Sequence, residues 1–458
     1  MSTFRISKNH SLWVRWTHWI NFPTLTIMIW SGLMIYWANA VYWPQIPRKI
    51  LEDLGLSYRL AEGMAYHFMF MWLFALNGFL YVSYIAISGS WREIIPSGHF
   101  LKEAWNVVLH DLGISKKPLP PSKYNGAQKI AYTVINVMGL GSILTGLAIY
   151  KPIQLSWLKS LLGGYETARA IHYWLTLGYL VFFVVHVGQV IKAGWNKFNT
   201  MVSGSQSRAV TSVAVLLIGL GSAFGAFTWM RHMDESKGLP LPFRRTLEFN
   251  EKVWTWFLDP MKTDGNHAAP KRGRRARFNG DIGLKSPIDL KSWKMTVTSK
   301  VEERAIPDIS ITMPDIMKLP RTDIVIEFKC IEGWSEVMAA SGVKFTDFLA
   351  HYHLGTHSGK PADFSLRRQD LYSDVGFETP DGDYYVSIDM KSMLSPQTLL
   401  AYEINGIPLS LENGAPLRLI IPNKYGVKNI KRIGRITFAD SPQPDYWGEE
   451  GYDWFIGL

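Results

Sequence analysis

The stretch His172-Tyr-Trp-Leu-Thr-Leu-Gly-Tyr-Leu-Val-Phe-Phe-Val-Val-His186 decides how this chain is read. It lies in an apolar run from about 170 to 191, long enough to span a bilayer. Its two histidines are 14 positions apart. At 100° per residue, 14 steps end about 40° short of four turns, so both imidazoles share one helical face. At 1.5 Å per residue they stand about 21 Å apart along the axis. A hydrocarbon core about 30 Å thick therefore takes one in each leaflet. Ionisable side chains at that depth are costly, and functional by default. Neutral imidazole is a standard axial ligand of haem iron. The stretch reads as one helix shared by two stacked b-type haems.

Each haem then needs a second histidine from another span. The chain offers His18, in Val14-Arg-Trp-Thr-His-Trp19, and His67, in Ala65-Tyr-His-Phe-Met-Phe70. A lone intramembrane histidine is more often a hydrogen-bonded packing residue. Four of them, two on one helical face, favour the ligand reading.

Composition agrees once the halves are separated. The 458 residues allow two or three domains. The mean hydropathy is near zero, but long apolar runs stop at about residue 230. The net charge of +10 fits basic cytoplasmic loops of a membrane protein better than a nucleic-acid partner. A single cysteine excludes an internal disulfide framework. The first apolar run is too long for a cleavable signal peptide and has no small-residue cleavage site.

Expected spans are 17–38, 64–88, 127–149, 170–191 and 209–230. With the N-terminus inside, the inner segments carry Arg5, Lys8, Arg15, Arg92, Lys102, Lys116, Lys117, Lys123, Lys192, Lys197 and Arg208, which is 11 basic residues; the outer loops carry Arg48, Lys49, Arg59, Lys151, Lys159 and Arg169, which is 6. The bias puts the N-terminus in and the C-terminal half out, in a bacterial periplasm. That topology pairs His18 with His186 near the inner face, and His67 with His172 near the outer face. The fifth run has no histidine; Gly221 and Gly225 would let it pack closely, as a tether.

The Arg-x-x-His-Trp start, the second-span histidine and the two-histidine fourth span resemble the di-haem cytochrome b subunits of formate dehydrogenase, Ni-hydrogenase and thiosulfate reductase. The likeness covers about 10–200. It implies the same four ligands and electron exchange with a quinone.

Residues 231–275 read as a linker broken by Pro240, Pro242 and Pro260, with a short helix near 247–258. The basic run 271–277 reads as a solvated loop able to draw an anionic phosphate. From Phe278 the pattern turns to short strands, at 323–330, 417–421 and 433–439, with helices near 344–351 and 395–403. This is a mixed α/β domain large enough for its own core.

Cys330 ends the strand pattern and opens Cys330-Ile-Glu-Gly-Trp-Ser335. Taken alone it would be a buried small hydrophobe. Lys329–Ser335, with Glu412-Asn-Gly-Ala-Pro-Leu-Arg418 and Lys424-Tyr-Gly-Val-Lys-Asn-Ile-Lys431, resembles the molybdopterin-binding domain of the sulfite oxidase family, over about 278–440. Within that family it is most similar to the methionine sulfoxide reductases. The resemblance implies Cys330 as the molybdenum ligand and catalytic residue, a soft thiolate suiting that metal. It implies Asn279, Thr379, Asn413, Arg418, Asn429, Ile430 and Lys431 as pterin contacts. Gly414 would let backbone approach a planar ligand, and Arg418, Lys428 and Lys431 bring charge for its phosphate. Around Asn279 the chain reads Phe-Asn-Gly-Asp-Ile-Gly, which departs from the aromatic-rich run of the methionine sulfoxide reductases. The Cys-Ala-Gly-Asn run of sulfite oxidases proper is absent. His351, His353 and His357 cluster, but Gly355 breaks a zinc-binding register; one of them could line the substrate pocket. The aromatic, acidic stretch 445–455 reads as packing.

The expected architecture is an all-α transmembrane bundle of five spans with a four-helix di-haem core, plus a mixed α/β sulfite-oxidase-type molybdopterin domain. The domains are 1–205, 206–275 and 276–458. The expected function is a molybdopterin-dependent oxidoreductase of the bacterial inner membrane. It exchanges electrons with quinone through two haems b and reduces an S-oxide or similar small oxo substrate. Two rivals are a non-catalytic electron carrier that docks a partner enzyme, and a haem reductase of ferric iron or ascorbate. Export of a folded pterin domain normally uses twin arginines, and Gln206-Ser-Arg-Ala209 has only one.

Overall fold

The computed structural model describes residues 10–39, 42–96, 98–116, 124–204, 241–257, 259, 261–299, 308–360, 362 and 370–458, with 213, 214, 217, 219–221 and 225. The chain divides into two compact units. The first holds residues 1–36, 66–146 and 167–234; the second holds 37–65, 147–166 and 235–458.

Four long helices supply the first unit: Leu12–Trp37, Leu60–Ser88, Gly126–Tyr150 and Tyr165–Ala193. They coincide with the first four expected spans, residue 38 alone falling outside. The last three are long and apolar enough to cross a membrane, and only 6–11% of their most apolar windows is buried within the protein. Their apolar faces thus point outward, as a lipid-solvated helix requires. Leu12–Trp37 falls short on composition, because Arg15, Thr17, His18, Asn21, Thr24 and Thr26 dilute its apolar residues. The fifth run, 209–230, lies largely outside the described residues.

Small residues set how closely these helices approach. A Cβ on Gly178 would meet Met138 Cε at 2.8 Å, and one on Gly141 would meet Leu175 Cδ1 at 3.3 Å. The third and fourth long helices therefore pack at glycine distance. Asn77 Nδ2 donates to the carbonyl of Thr17 at 2.9 Å, tying the second helix to the turn that carries His18.

The second unit is built on two five-stranded sheets. One has the order β2-β1-β10-β5-β6, from Ile309–Thr312, Lys294–Ser299, Arg435–Ala439, Asp374–Glu378 and Tyr385–Asp389. The other runs β3-β4-β7-β8, from Arg321–Lys329, Ser335–Lys344, Leu399–Ile404 and Ile407–Pro408, with β9 (Arg418–Ile420) also paired to β7. Every pairing is antiparallel except β1 with β10. The helices expected near 344–351 and 247–258 are Phe345–Tyr352 and Leu241–Phe257.

The helix expected at 395–403 is instead strand β7. Leu, Ala and Glu there favour a helix locally. The segment is clamped between β4 and β9, and Leu399, Leu400 and Ala401 are fully buried. Pairing on both edges overrides a propensity worth a few tenths of a kcal/mol per residue.

Residues 37–65 and 147–166, which flank the long helices, belong to the second unit. Ile153 joins Tyr425, Ile456 and Leu458 in one apolar cluster. Lys151 Nζ donates to Gly457 O at 2.7 Å, and Lys159 pairs with Glu327 at 3.0 Å. Tyr42 Oη donates to Glu332 O at 3.1 Å, and Glu166 accepts from Ser335 N at 3.0 Å. The segment 330–335, which carries Cys330, is thus held by both of the shorter pieces.

Candidate functional site

The first unit brings the four histidines together in two pairs. His18 and His186 have ring centroids 6.0 Å apart; His67 and His172 have theirs 6.1 Å apart. These are the pairs that the topology argument expects. A metal bonded at about 2 Å by an imidazole nitrogen on each side puts the two ring centroids about 6 Å apart. The residues therefore fit a bis-histidine metal. All four rings are half-buried, and no carboxylate lies between the rings of either pair among the described residues.

Two hydroxyls unforeseen in the sequence reading join one pair. Ser31 Oγ lies 3.0 Å from His67 Nδ1, and Thr145 Oγ1 lies 2.8 Å from His172 Nδ1. Both hydroxyl residues are buried. The only signal in the sequence is a hydroxyl inside an apolar span, which is common and carries little weight.

In the second unit, β3 ends at Lys329 and places Cys330 on the turn into β4. Cys330 N donates to Trp334 O, and Gly333 N returns to Cys330 O, both at 2.9 Å. The turn is therefore rigid. The thiol is buried, and burial pushes it up to about 11. A soft metal bonded to the sulfur would displace that proton and hold it as thiolate at neutral pH. Asn279 Nδ2 approaches Cys330 Sγ at 3.7 Å.

A cationic cluster adjoins it. Arg418 is buried, with Nη1 donating to Asn413 O at 3.2 Å and Nη2 to Asn429 O at 3.3 Å. Its Nε is buried without a hydrogen-bond partner, and it has no carboxylate partner among the described residues. Burial lowers its pKa to about 10. Lys431 Nζ donates to Asn279 O and Gly280 O, each at 2.8 Å. Burial, then the nearby Arg418, push Lys431 down to about 8. A buried guanidinium and a half-buried ammonium, each bonded to carbonyls and to no acid, fit an anionic ligand. Gly414 is at φ +95°, and a Cβ there would lie 2.7 Å from Lys431 Cβ. The turn after Asn413 is thus shaped by a residue without a side chain.

Cys330, Asn279, Asn413, Arg418, Asn429 and Lys431 therefore form one connected group. Asn429 contributes its carbonyl, since its side chain is spent on Ile421 N and on the carbonyls of Ile421, Lys424 and Tyr425. Ile430 is a core residue, offering backbone alone. Lys428 is committed elsewhere, in a buried ion pair with Asp445. The Thr379 hydroxyl is also spent, donating to Asp381 at 2.6 Å and accepting from Tyr384 N. In the basic run, Arg274 pairs with Glu336 and Arg275 with Glu412. His353 closes its helix at φ +54°, and His357 contacts Asp440 at 3.1 Å.

Comparison with known proteins accords with both halves. Residues 9–204 match the family model of prokaryotic cytochrome b561, and 283–447 match the oxidoreductase molybdopterin binding domain. The "Putative protein-methionine-sulfoxide reductase subunit YedZ1" of Azospira oryzae is 33% identical over 212 residues, covering 46% of this chain and 73% of the relative. The protein-methionine-sulfoxide reductase catalytic subunit MsrP of Campylobacter jejuni is 30% identical over 169 residues, covering 36% of this chain and 55% of the relative. MsrP of Xanthomonas campestris is 28% identical over 161 residues, 35% of this chain and 49% of the relative. The chain spans about half the length of these catalytic subunits.

Fold and matches together define a membrane oxidoreductase in which a cytochrome b domain and a molybdopterin-binding domain share one polypeptide. The chain belongs to the YedZ1 family.

Proposed function

We propose that this chain passes electrons from a membrane quinol to a molybdenum-pterin centre on Cys330 and reduces a small sulfoxide. Two haems b would be held by His18 with His186 and by His67 with His172. Five spans, including 209–230, would leave the pterin domain in the periplasm of a bacterium. The sulfoxide comes from the relatives' printed activity; the quinol comes from the resemblance of the helical half to di-haem cytochromes b.

The observation that carries the reading is the coexistence of two imidazole pairs at metal-bridging separation and a buried cysteine beside unneutralised cations. The molybdenum centre would supply two-electron oxygen-atom chemistry and the haems one-electron transfer. The protein's share is positional. The Cys330 turn fixes the sulfur. Arg418 and Lys431 supply the charge an anionic pterin needs, and Gly414 lets the turn after Asn413 close onto Lys431. A sulfoxide takes two electrons and two protons, leaving as thioether and water, so the protein must also admit protons. Residues 37–65 and 147–166 brace the Cys330 segment through Tyr42 and Glu166.

Metal and pterin analysis of the purified chain, alongside a haem count, tests the proposal. One molybdenum and two haems per chain are expected. A chain with haem and no molybdenum, though made in a host that inserts molybdopterin, would reduce it to an electron carrier.

A further inference from the structure

The two histidine pairs are not equivalent. Thr145 Oγ1 has one proton, and Gly141 O lies 2.6 Å away, closer than the 2.8 Å to His172 Nδ1. The hydroxyl proton is therefore spent on its own helix, and the oxygen accepts from Nδ1–H. At Ser31 the distances run the other way, 3.2 Å to Met28 O and 3.0 Å to His67 Nδ1, but His67 itself hydrogen-bonds to the Met28 carbonyl, which calls for a proton on the ring nitrogen on that side. Both rings are thus Nδ1–H tautomers, with the Nε2 lone pair left for a metal. Ser31 and Thr145 are almost wholly buried, at 0% and 1% exposure, so water does not compete for these bonds. Among the described residues no hydroxyl serves the other pair in this way. His18 Nδ1 is buried without a hydrogen-bond partner among the described residues, and His186 is stacked by Phe182 at 5.6 Å.

A ring that donates from Nδ1 is more electron-rich at Nε2, and an electron-rich ligand favours the ferric over the ferrous ion. We infer that Ser31 and Thr145 are positioning residues that lock His67 and His172 in the ligating tautomer and lower the reduction potential of the iron between them, leaving the iron of His18 and His186 untuned. The inference rests on the proposed haem ligation. It adds an asymmetry: one iron of the wire is made the stronger reductant by two hydroxyls.

The test is a potentiometric titration of the purified full-length chain, followed in the haem bands, with low-spin ferric EPR. Thr145→Val removes the acceptor at nearly constant shape, and Ser31→Ala does so on the other ligand. One of the two reduction waves should move to higher potential, by a factor of about 3–10 in its ferric/ferrous equilibrium; tenfold corresponds to about 59 mV for one electron. The other wave stays in place. Thr145→Ser, which keeps the hydroxyl, should titrate as the unaltered chain. Loss of one haem in Thr145→Val but not in Thr145→Ser also supports the role, since the tautomer is then no longer held. Unmoved waves in the Ser31→Ala, Thr145→Val double variant with full haem overturn the inference. Equal movement of both waves does so too, as does haem loss in Thr145→Ser, which would point to packing. Failure of the underlying ligation is separately visible: His67→Ala would keep both haems.

Discussion

The two units solve burial in opposite ways. Among the described residues of the first unit, every polar residue buried as a whole is neutral: Thr17, Thr24, Ser31, Asn77, Thr145, Asn199 and Thr200. The second unit buries whole charges in pairs, Lys428 with Asp445, Lys424 with Asp389, and Lys329 with Glu327. Arg418, Arg432 and Lys151 are instead buried against carbonyls. The difference follows from surroundings. An unpaired ion in hydrocarbon has no water to fall back on, so imidazoles and hydroxyls serve instead. In a water-facing domain an ion pair is tolerable when its geometry is good, and a buried ion without a mate that also faces a second cation, as Arg418 faces Lys431, is a candidate ligand contact.

That contrast can be broken most directly at the sulfur. Cys330→Ser should abolish turnover while the Soret band keeps its intensity; an active serine variant would remove Cys330 from the chemistry. Next in size, His172→Ala should halve the haem content, whereas Cys330→Ser leaves it whole. Retention of two haems would dissolve the pairing. The buried pairs give a third test. Lys428→Met strands Asp445 and should cost about 3–5 kcal/mol, lowering the melting temperature of the second unit by about 10 °C or more. A shift under about 2 °C would show that the pair contributes little. Arg418→Met should behave differently from Lys428→Met: pterin content falls sharply, while the cofactor-free protein becomes more stable by about 1–3 kcal/mol. Equal destabilisation by both would mean that Arg418 is an ordinary structural cation.

The bundle was legible because its site follows one periodicity. Fourteen residues between His172 and His186 fix a face and a depth, and topology assigns their partners. Strand β3 and the place of Cys330 at its end were legible for a similar reason, as alternation ending at a glycine turn. Three features were not. The strand at 399–404 carries helix-forming residues, and only its neighbours decide it. Lys428 looked like a phosphate ligand because its charge is visible in sequence, while Asp445, 17 residues on, is not visibly its mate. Ser31 and Thr145 act across helices, at 36 and 27 residues from their histidines, and no local pattern marks such a bond.

The joining of residues 37–65 and 147–166 to the C-terminal unit bears on biogenesis. Lys151, Ile153, Lys159 and Glu166 complete its wall, and the ribosome makes them long before the sheets they meet. The C-terminal half, cut free near residue 276, would lose Lys151 from Gly457 O, Lys159 from Glu327, and Ile153 from the cluster of Tyr425, Ile456 and Leu458. The C-terminal half therefore completes its packing on segments that precede it in the chain.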